Sequence, residues 1–165
     1  MMEFEELMDK KELYSFVATR TAQCRILVAG DVMLDKYYYS EVTRISPEAP
    51  VPIAHVRSEM ETLEGAANVA HNLTRLACQV SIAGFVGKDY HGKSLLEKLR
   101  ARGIDGAGLI PTDRPTTTKL RVIGGHQQML RLDFEESAAV TGKEAEHFLA
   151  GIYKKLDEGL DCLII

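Results

Sequence analysis

Residues 25–35, Arg25-Ile26-Leu27-Val28-Ala29-Gly30-Asp31-Val32-Met33-Leu34-Asp35, set the frame for the whole chain. An apolar run of this length reads as a short strand over Arg25–Ala29, and Gly30 marks the strand end that a ligand can approach. About thirty residues later Gly65-Ala66-Ala67-Asn68-Val69-Ala70 opens a helix. A carboxylate at a strand tip can accept hydrogen bonds from hydroxyls, and small residues at a helix start allow close backbone approach. Together the two stretches predict a site for a polyhydroxylated ligand. Asp31 and Asp35 are the candidate acceptors, with Gly65 and Asn68 beside them. The alternative is that Asp31 caps the turn, Asp35 is a surface residue, and the small residues only let helix pack on sheet.

Outward from this core, strands and helices alternate. Phe4, Leu7, Met8, Leu13, Phe16 and Val17 predict an amphipathic leading helix over Glu3–Thr19, so residues 1–22 stand apart from a domain over 23–165. Lys36 to Arg57 holds Tyr37-Tyr38-Tyr39 and the proline-rich Ser46 to Pro52 stretch. This predicts a β-rich excursion from the main sheet over about residues 36–57, a lid or an edge ribbon. Val69, Leu73, Leu76 and Ala77 predict a helix over Ala66–Ala77, followed by a strand over Gln79–Val86 and a helix bearing Leu95, Leu96 and Leu99 that stops at Gly103. Thr116 to Ile123 and Gln127 to Phe134 flank Gly124-Gly125 as a hairpin. Thr141 and Glu144 predict a capping box for a last helix, and Cys162–Ile165 a strand buried on both faces. The alternation predicts an α/β fold with a largely parallel sheet between helical layers.

Composition narrows the classes. The chain has 165 residues, 45% hydrophobic and 27% charged, enough for one domain with a core. A net charge of -4 with interspersed signs argues against a nucleic-acid partner, and Lys98, Arg100 and Arg102 read as a solvated helix face. No apolar stretch reaches the roughly 20 residues of a membrane span, and the acidic N-terminus lacks a signal-peptide pattern. The three cysteines have no paired spacing and read as reduced packing residues, so a cytoplasmic location is expected. The histidines lack metal-ligand spacing. Lys119 and Arg121 alternate onto one side of a strand, where two cations can hold a phosphate; solvated strand residues are the alternative. Arg131 and Asp133 on the partner strand could form a structural ion pair.

Gly30 to Asp35, Gly65-Ala66-Ala67-Asn68, and Gly87-Lys88-Asp89 with Gly92 together resemble the N-terminal half of the ribokinase-like (PfkB) carbohydrate kinases. GDVMLDKYYYSEVTRISPEAPVP at 30–52, with TTTKLRV and QQMLRLDFEE, narrows the resemblance to kinases acting on D-glycero-D-manno-heptose 7-phosphate at its anomeric hydroxyl, which supply ADP-heptose for the lipopolysaccharide inner core. The resemblance implies a three-layer sandwich with a small β lid, represented by its N-terminal half. It implies that Asp35 binds sugar hydroxyls, that Gly65 and Asn68 line the sugar pocket, and that the lid also forms a homodimer. Lys119 and Arg121 become partners of the substrate phosphate. Glu64 and Ala77 depart from the family signature, which has glycine at the first position and glycine or serine at the second. The catalytic base, in a Gly-Ala-Gly-Asp turn, is expected downstream of Ile165, so no catalytic residue is assigned here. ATP and magnesium would serve the complete enzyme, and neither is expected to bind well to residues 1–165 alone. The alternatives are a non-catalytic remnant that keeps dimerisation or sugar-phosphate binding, and a kinase for another sugar.

Overall fold

The computed structural model describes residues 9–140 and 142–165. Strands β1 (Arg25–Ala29), β4 (Gln79–Gly87), β5 (Asp105–Thr112) and β8 (Cys162–Ile164) form a parallel sheet in the order β5-β4-β1-β8. Alternation along β1 divides its side chains between two cores. Ile26 and Val28 face helices α2 (Ala66–Arg75) and α3 (Tyr90–Arg100), packing with Ala67, Ala70, Val80, Ile82, Leu95 and Leu99. Leu27 and Ala29 point the other way, with Ala83, onto Ile152 and Phe148 of helix α4 (Gly142–Asp157). The sheet is therefore covered on both faces, which gives the three expected layers.

A second sheet grows from the end of β1. Strands β2 (Val32–Ile45) and β3 (Pro52–Gly65) form a long antiparallel hairpin. Strand β6 (Thr118–Gly124) adds parallel to β2, and β7 (Gln127–Phe134) adds antiparallel to β6, in the order β3-β2-β6-β7. The excursion expected over 36–57 thus runs from 32 to 65 and absorbs the downstream hairpin. It matches the main sheet in strand number and is not a small appendage. The prolines permit this because Pro47 and Pro50 lie in the turn closed by Ser46 N–H donating to the Val51 carbonyl (2.8 Å), while Pro52 is the first residue of β3.

Three further differences have local causes. Strand β5 was not anticipated, because Gly106 and Gly108 break its apolar pattern; Gly108 instead lets β5 approach β4, where a Cβ would lie 2.7 Å from the Ile82 carbonyl oxygen. Strand β8 is not buried on both faces: Cys162 is exposed and Leu163 and Ile164 half-buried, since its only strand neighbour among the described residues is β1. Helix α1 (Lys10–Thr19), capped by Asp9, buries none of its residues. Phe4, Leu7 and Met8 of the expected leading helix, and Thr141 of the expected capping box, lie outside the described residues.

Helix α2 ends in a Schellman-type turn, in which Ala77 N–H donates to the Thr74 carbonyl and Cys78 N–H to that of Leu73. Ala77 there has φ 66°, a left-handed conformation that burdens any residue with a Cβ. Glycine, one of the two residues that the resemblance implies at this position, would carry no such burden. Ala77→Gly is expected to stabilise the chain by about 0.5–1 kcal/mol, the relieved strain being partly offset by a freer unfolded chain. Thermal denaturation would show a Tm higher by about 2 °C.

Candidate functional site

Direct cross-strand partners share a face, so the register of the second sheet defines its two sides. On one side lie Asp35, Tyr37, Thr62, Glu64, Lys119, Arg121, Arg131 and Asp133. Asp35 is only 3% exposed, so its reading as a surface residue does not hold. The Tyr37 hydroxyl donates to Asp35 Oδ2 at 3.1 Å. Arg121 Nη1 contacts Asp35 Oδ1 as an ion pair, and its guanidinium lies 5.4 Å from the centre of the Tyr37 ring. Both atoms are buried, and among the described residues neither has a partner beyond this contact. Asp35 holds the Arg121 guanidinium above its ordinary pKa. Burial, and then the bond to Asp35, raises the Tyr37 phenol.

Lys119 is the direct neighbour of Asp35 on β6 and of Asp133 on β7, and it is half-buried. Arg131 grips Asp133 through Nε and Nη2 at 2.8 and 2.9 Å, the structural pair anticipated from sequence. Arg121 is thus engaged by Asp35, whereas Lys119 has no ion-pair partner among the described residues. Glu64, opposite Met33, lies on the same face and adds to the field at Tyr37 and Arg121.

The other predicted residues sit where the two sheets meet. Asp31 links β1 to β2. Its carbonyl accepts from Ala66 N–H at 2.9 Å, and its exposed side chain borders a cavity of about 330 Å³. Phe85, Gly87, Thr112, Arg114 and Glu136 line the same cavity, beyond the C-terminal ends of β1, β4 and β5, where ligands of open α/β sheets bind. Gly65 caps α2 at φ 60° and ψ -136°. Asn68 is half-buried in the first turn of α2 and does not bond to Asp35, whose partners are Tyr37 and Arg121. Asp35, Lys119 and Arg121 therefore form one group on the sheet face, whereas Asp31 borders the crevice with Gly65 beside its carbonyl, and Asn68 follows in the first turn of α2.

Sequence reasoning missed Tyr37 and Arg114. The spacing of Tyr37 two residues after Asp35 within a strand was the available signal. Arg114 gave none: it donates to the Ala138 and Ala139 carbonyls at 2.7 and 3.2 Å, holding the 136–140 segment beside the cavity. Two networks support the group. Asp89 accepts from Gly92 N–H (2.7 Å), Thr116 N–H (2.8 Å) and Thr116 Oγ1 (2.8 Å), pinning the entry to β6. On the far side of the second sheet Lys36 lies 3.3 Å from both Glu59 and Glu61, and Glu61 accepts from Ser94 of α3 at 2.7 Å.

A parallel sheet wrapped in helices, with a polar second sheet rising from its ligand end, is the architecture of a sugar kinase half. The model for pfkB family carbohydrate kinases matches residues 24–155, and the chain belongs to that family. It is 50% identical over 131 residues to the bifunctional protein HldE of Magnetococcus marinus, covering 79% of this chain and 27% of that protein. With the D-beta-D-heptose 7-phosphate kinase of Bordetella bronchiseptica it shares 44% identity over 142 residues, covering 80% of this chain and 45% of that protein. The chain thus spans less than half the length of either relative.

Among solved structures, a carbohydrate kinase from Agrobacterium tumefaciens aligns with TM-score 0.53 and 28% identity, over 67% of this chain and 35% of that one. Ribokinase from Cryptococcus neoformans, in complex with ADP, shares the fold with TM-score 0.53 at 19% identity, over 74% of this chain and 38% of that one. Kinases of this family use ATP and magnesium. Among the described residues no three His, Cys, Asp or Glu side chains are grouped to hold a metal, and no residue here is assigned to either group. No helix among them is long and apolar enough to cross a membrane.

Proposed function

We propose that this chain supplies the sugar-phosphate-holding part of an ATP-dependent kinase that phosphorylates heptose 7-phosphate at the anomeric hydroxyl, toward ADP-heptose for lipopolysaccharide. What carries this reading is the 44% identity to D-beta-D-heptose 7-phosphate kinase. Support for the roles comes from the sheet face, where a buried carboxylate adjoins two cations. Asp35 accepts from sugar hydroxyls, Lys119 and Arg121 hold the 7-phosphate, and Asn68 and the backbone around Gly65 and Asp31 border the sugar. ATP and magnesium supply the phosphoryl group and its charge neutralisation. The residues of this chain bind and orient the acceptor and keep water from it. The second sheet serves as lid and as homodimer surface, and the protein works in the cytoplasm without nucleic acid or membrane.

Heptose 7-phosphate is expected to bind residues 1–165 in a calorimetric titration, and Asp35→Ala to weaken that binding about 100-fold through loss of two charge-assisted hydrogen bonds. No ADP is expected when the same polypeptide is mixed with heptose 7-phosphate, ATP and magnesium. Clear turnover would show that residues 1–165 already contain the transfer machinery. A non-catalytic sugar-phosphate binder is the second reading, which rests on the same sheet-face group of Asp35, Lys119 and Arg121. Whether the DNA 3′ of the Ile165 codon continues into a Gly-Ala-Gly-Asp turn separates the two.

A further inference from the structure

Asp35 faces a contradiction in its surroundings. It is buried on the polar face and suited to accept from hydroxyls, yet both of its oxygens are already covered by protein groups. Tyr37 donates to Oδ2 at 3.1 Å, and Arg121 lies against Oδ1. The first is an ordinary hydrogen bond that a sugar hydroxyl can share, because a carboxylate oxygen has two acceptor sites. The second is different in kind. A guanidinium held against a buried carboxylate oxygen at ion-pair distance occupies that oxygen by charge as well as by position. Such a contact yields only to another anion that takes the guanidinium in its place.

The remaining charges show where Arg121 can go. Arg131 and Asp133 satisfy one another in a two-point contact. Lys119, two residues before Arg121 on the same side of β6, is the cation on this face without an ion-pair partner among the described residues. A dianion drawn to Lys119 would lie within reach of Arg121, and a phosphate offers the planar fork of Arg two acceptors in place of one carboxylate oxygen. The Tyr37 ring flanks this position, with the guanidinium 5.4 Å from its centre.

We infer that Arg121 is a phosphate-operated gate on Asp35: without a phosphate it covers Oδ1, and a sugar phosphate draws it toward Lys119 and uncovers that oxygen for the sugar hydroxyls. This rests on the sugar-phosphate reading above and extends it to a cause of selectivity. The phosphate contributes twice, once by its own contacts and once by releasing the acceptor. An unphosphorylated sugar must displace Arg121 without compensation. Linkage makes the effect reciprocal, so removing the Asp35 charge must strengthen phosphate binding.

The gate is tested by titrating wild type, Arg121→Gln and Asp35→Asn with heptose 7-phosphate, unphosphorylated heptose and inorganic phosphate, following the Tyr37 ring by NMR. Arg121→Gln is expected to bind unphosphorylated heptose about 5–10-fold more tightly than wild type does, and Asp35→Asn to bind inorganic phosphate more tightly by a similar factor, as coupling of this size requires. Inorganic phosphate alone is expected to shift the Tyr37 ring signals in wild type and not in Arg121→Gln. An Arg121 that merely touches the phosphate predicts weaker heptose 7-phosphate binding in Arg121→Gln with no gain for the unphosphorylated sugar. That result, or phosphate binding unchanged in Asp35→Asn, overturns the gate. Arg121→Lys, which keeps the charge and loses the fork, guards against misfolding of the neutral variant and is expected to fall between it and wild type. If phosphate moves the Tyr37 signals and Asp35→Asn gains affinity while no form binds heptose 7-phosphate, the gate stands and the heptose assignment falls.

Discussion

Gly65→Ala is expected to destabilise the chain by about 4 kcal/mol, the sum of a backbone conformation open mainly to glycine and a steric overlap. Gly65 has φ 60° and ψ -136°, so a side chain is strained there whatever the space around it. There is no space either: a Cβ would lie 2.4 Å from the Asp31 carbonyl oxygen and 2.8 Å from Met33 Cε. Met33 can swing away, but the Asp31 carbonyl cannot, because it accepts the Ala66 N–H that opens α2. The substitution must therefore push the start of α2 from the β1–β2 connection, where Asp31 borders the crevice. A Tm lower by about 10 °C is the expected result for a domain of this size. Sugar-phosphate affinity should fall with it, since Asn68 lies in the displaced turn. A Tm within 2 °C of wild type would mean that this contact does not set the helix position.

Asp89→Ala is expected to cost about 3–4 kcal/mol, because one carboxylate satisfies three donors and Ala leaves them unpaired in a half-buried site. Two of those donors, Gly92 N–H and Thr116 N–H, are backbone groups that cannot turn to other partners. Gly87 and Gly92 bring the pieces together: a Cβ at Gly87 would lie 2.5 Å from Thr116 N, and one at Gly92 2.1 Å from the Gly87 carbonyl oxygen. Asp89→Asn, which keeps one acceptor oxygen, should lose less. The same carboxylate carries a pH dependence. Burial pushes its pKa up, but the bonds from Thr116 and Gly92 outweigh burial, and the net shift is downward. A carboxyl whose folded-state pKa lies below its unfolded value of about 3.9 adds stability that is complete above that pH and is lost as pH falls through the folded value. Thermal denaturation between pH 6 and pH 2 should therefore show a smaller acid loss of stability in Asp89→Ala than in wild type. An equal loss would assign the acid sensitivity to other carboxylates, such as Glu61, which Ser94 and Lys36 hold low against the opposing effect of burial.

The main sheet and its helices were legible because their signals are local. The apolar runs at β1 and β4 and the 3.6-residue spacing in α2, α3 and α4 report burial that the fold then supplies. Strand β5 was hidden because its stability comes from pairing along β4 rather than from its own glycine-interrupted composition. Exposure was misjudged at both ends for a related reason. Hydrophobicity at Leu13, Phe16 and Val17, or at Cys162 to Ile164, states a preference for burial, and whether a neighbour covers those residues depends on the rest of the fold.

The candidate site divides along the same line. By itself the sequence determined the residue types and their local geometry: a carboxylate at Asp35, cations two apart at Lys119 and Arg121, and a glycine-led helix start at Gly65, all within a recognisable kinase half. Only the tertiary structure decided that Asp35 and Arg121, 86 positions apart in sequence, meet on one face, that Asp35 is buried, and that Arg121 is already engaged. Period-2 alternation places side chains relative to their own strand, whereas the contact between β2 and β6 follows from a parallel register that no local interaction specifies.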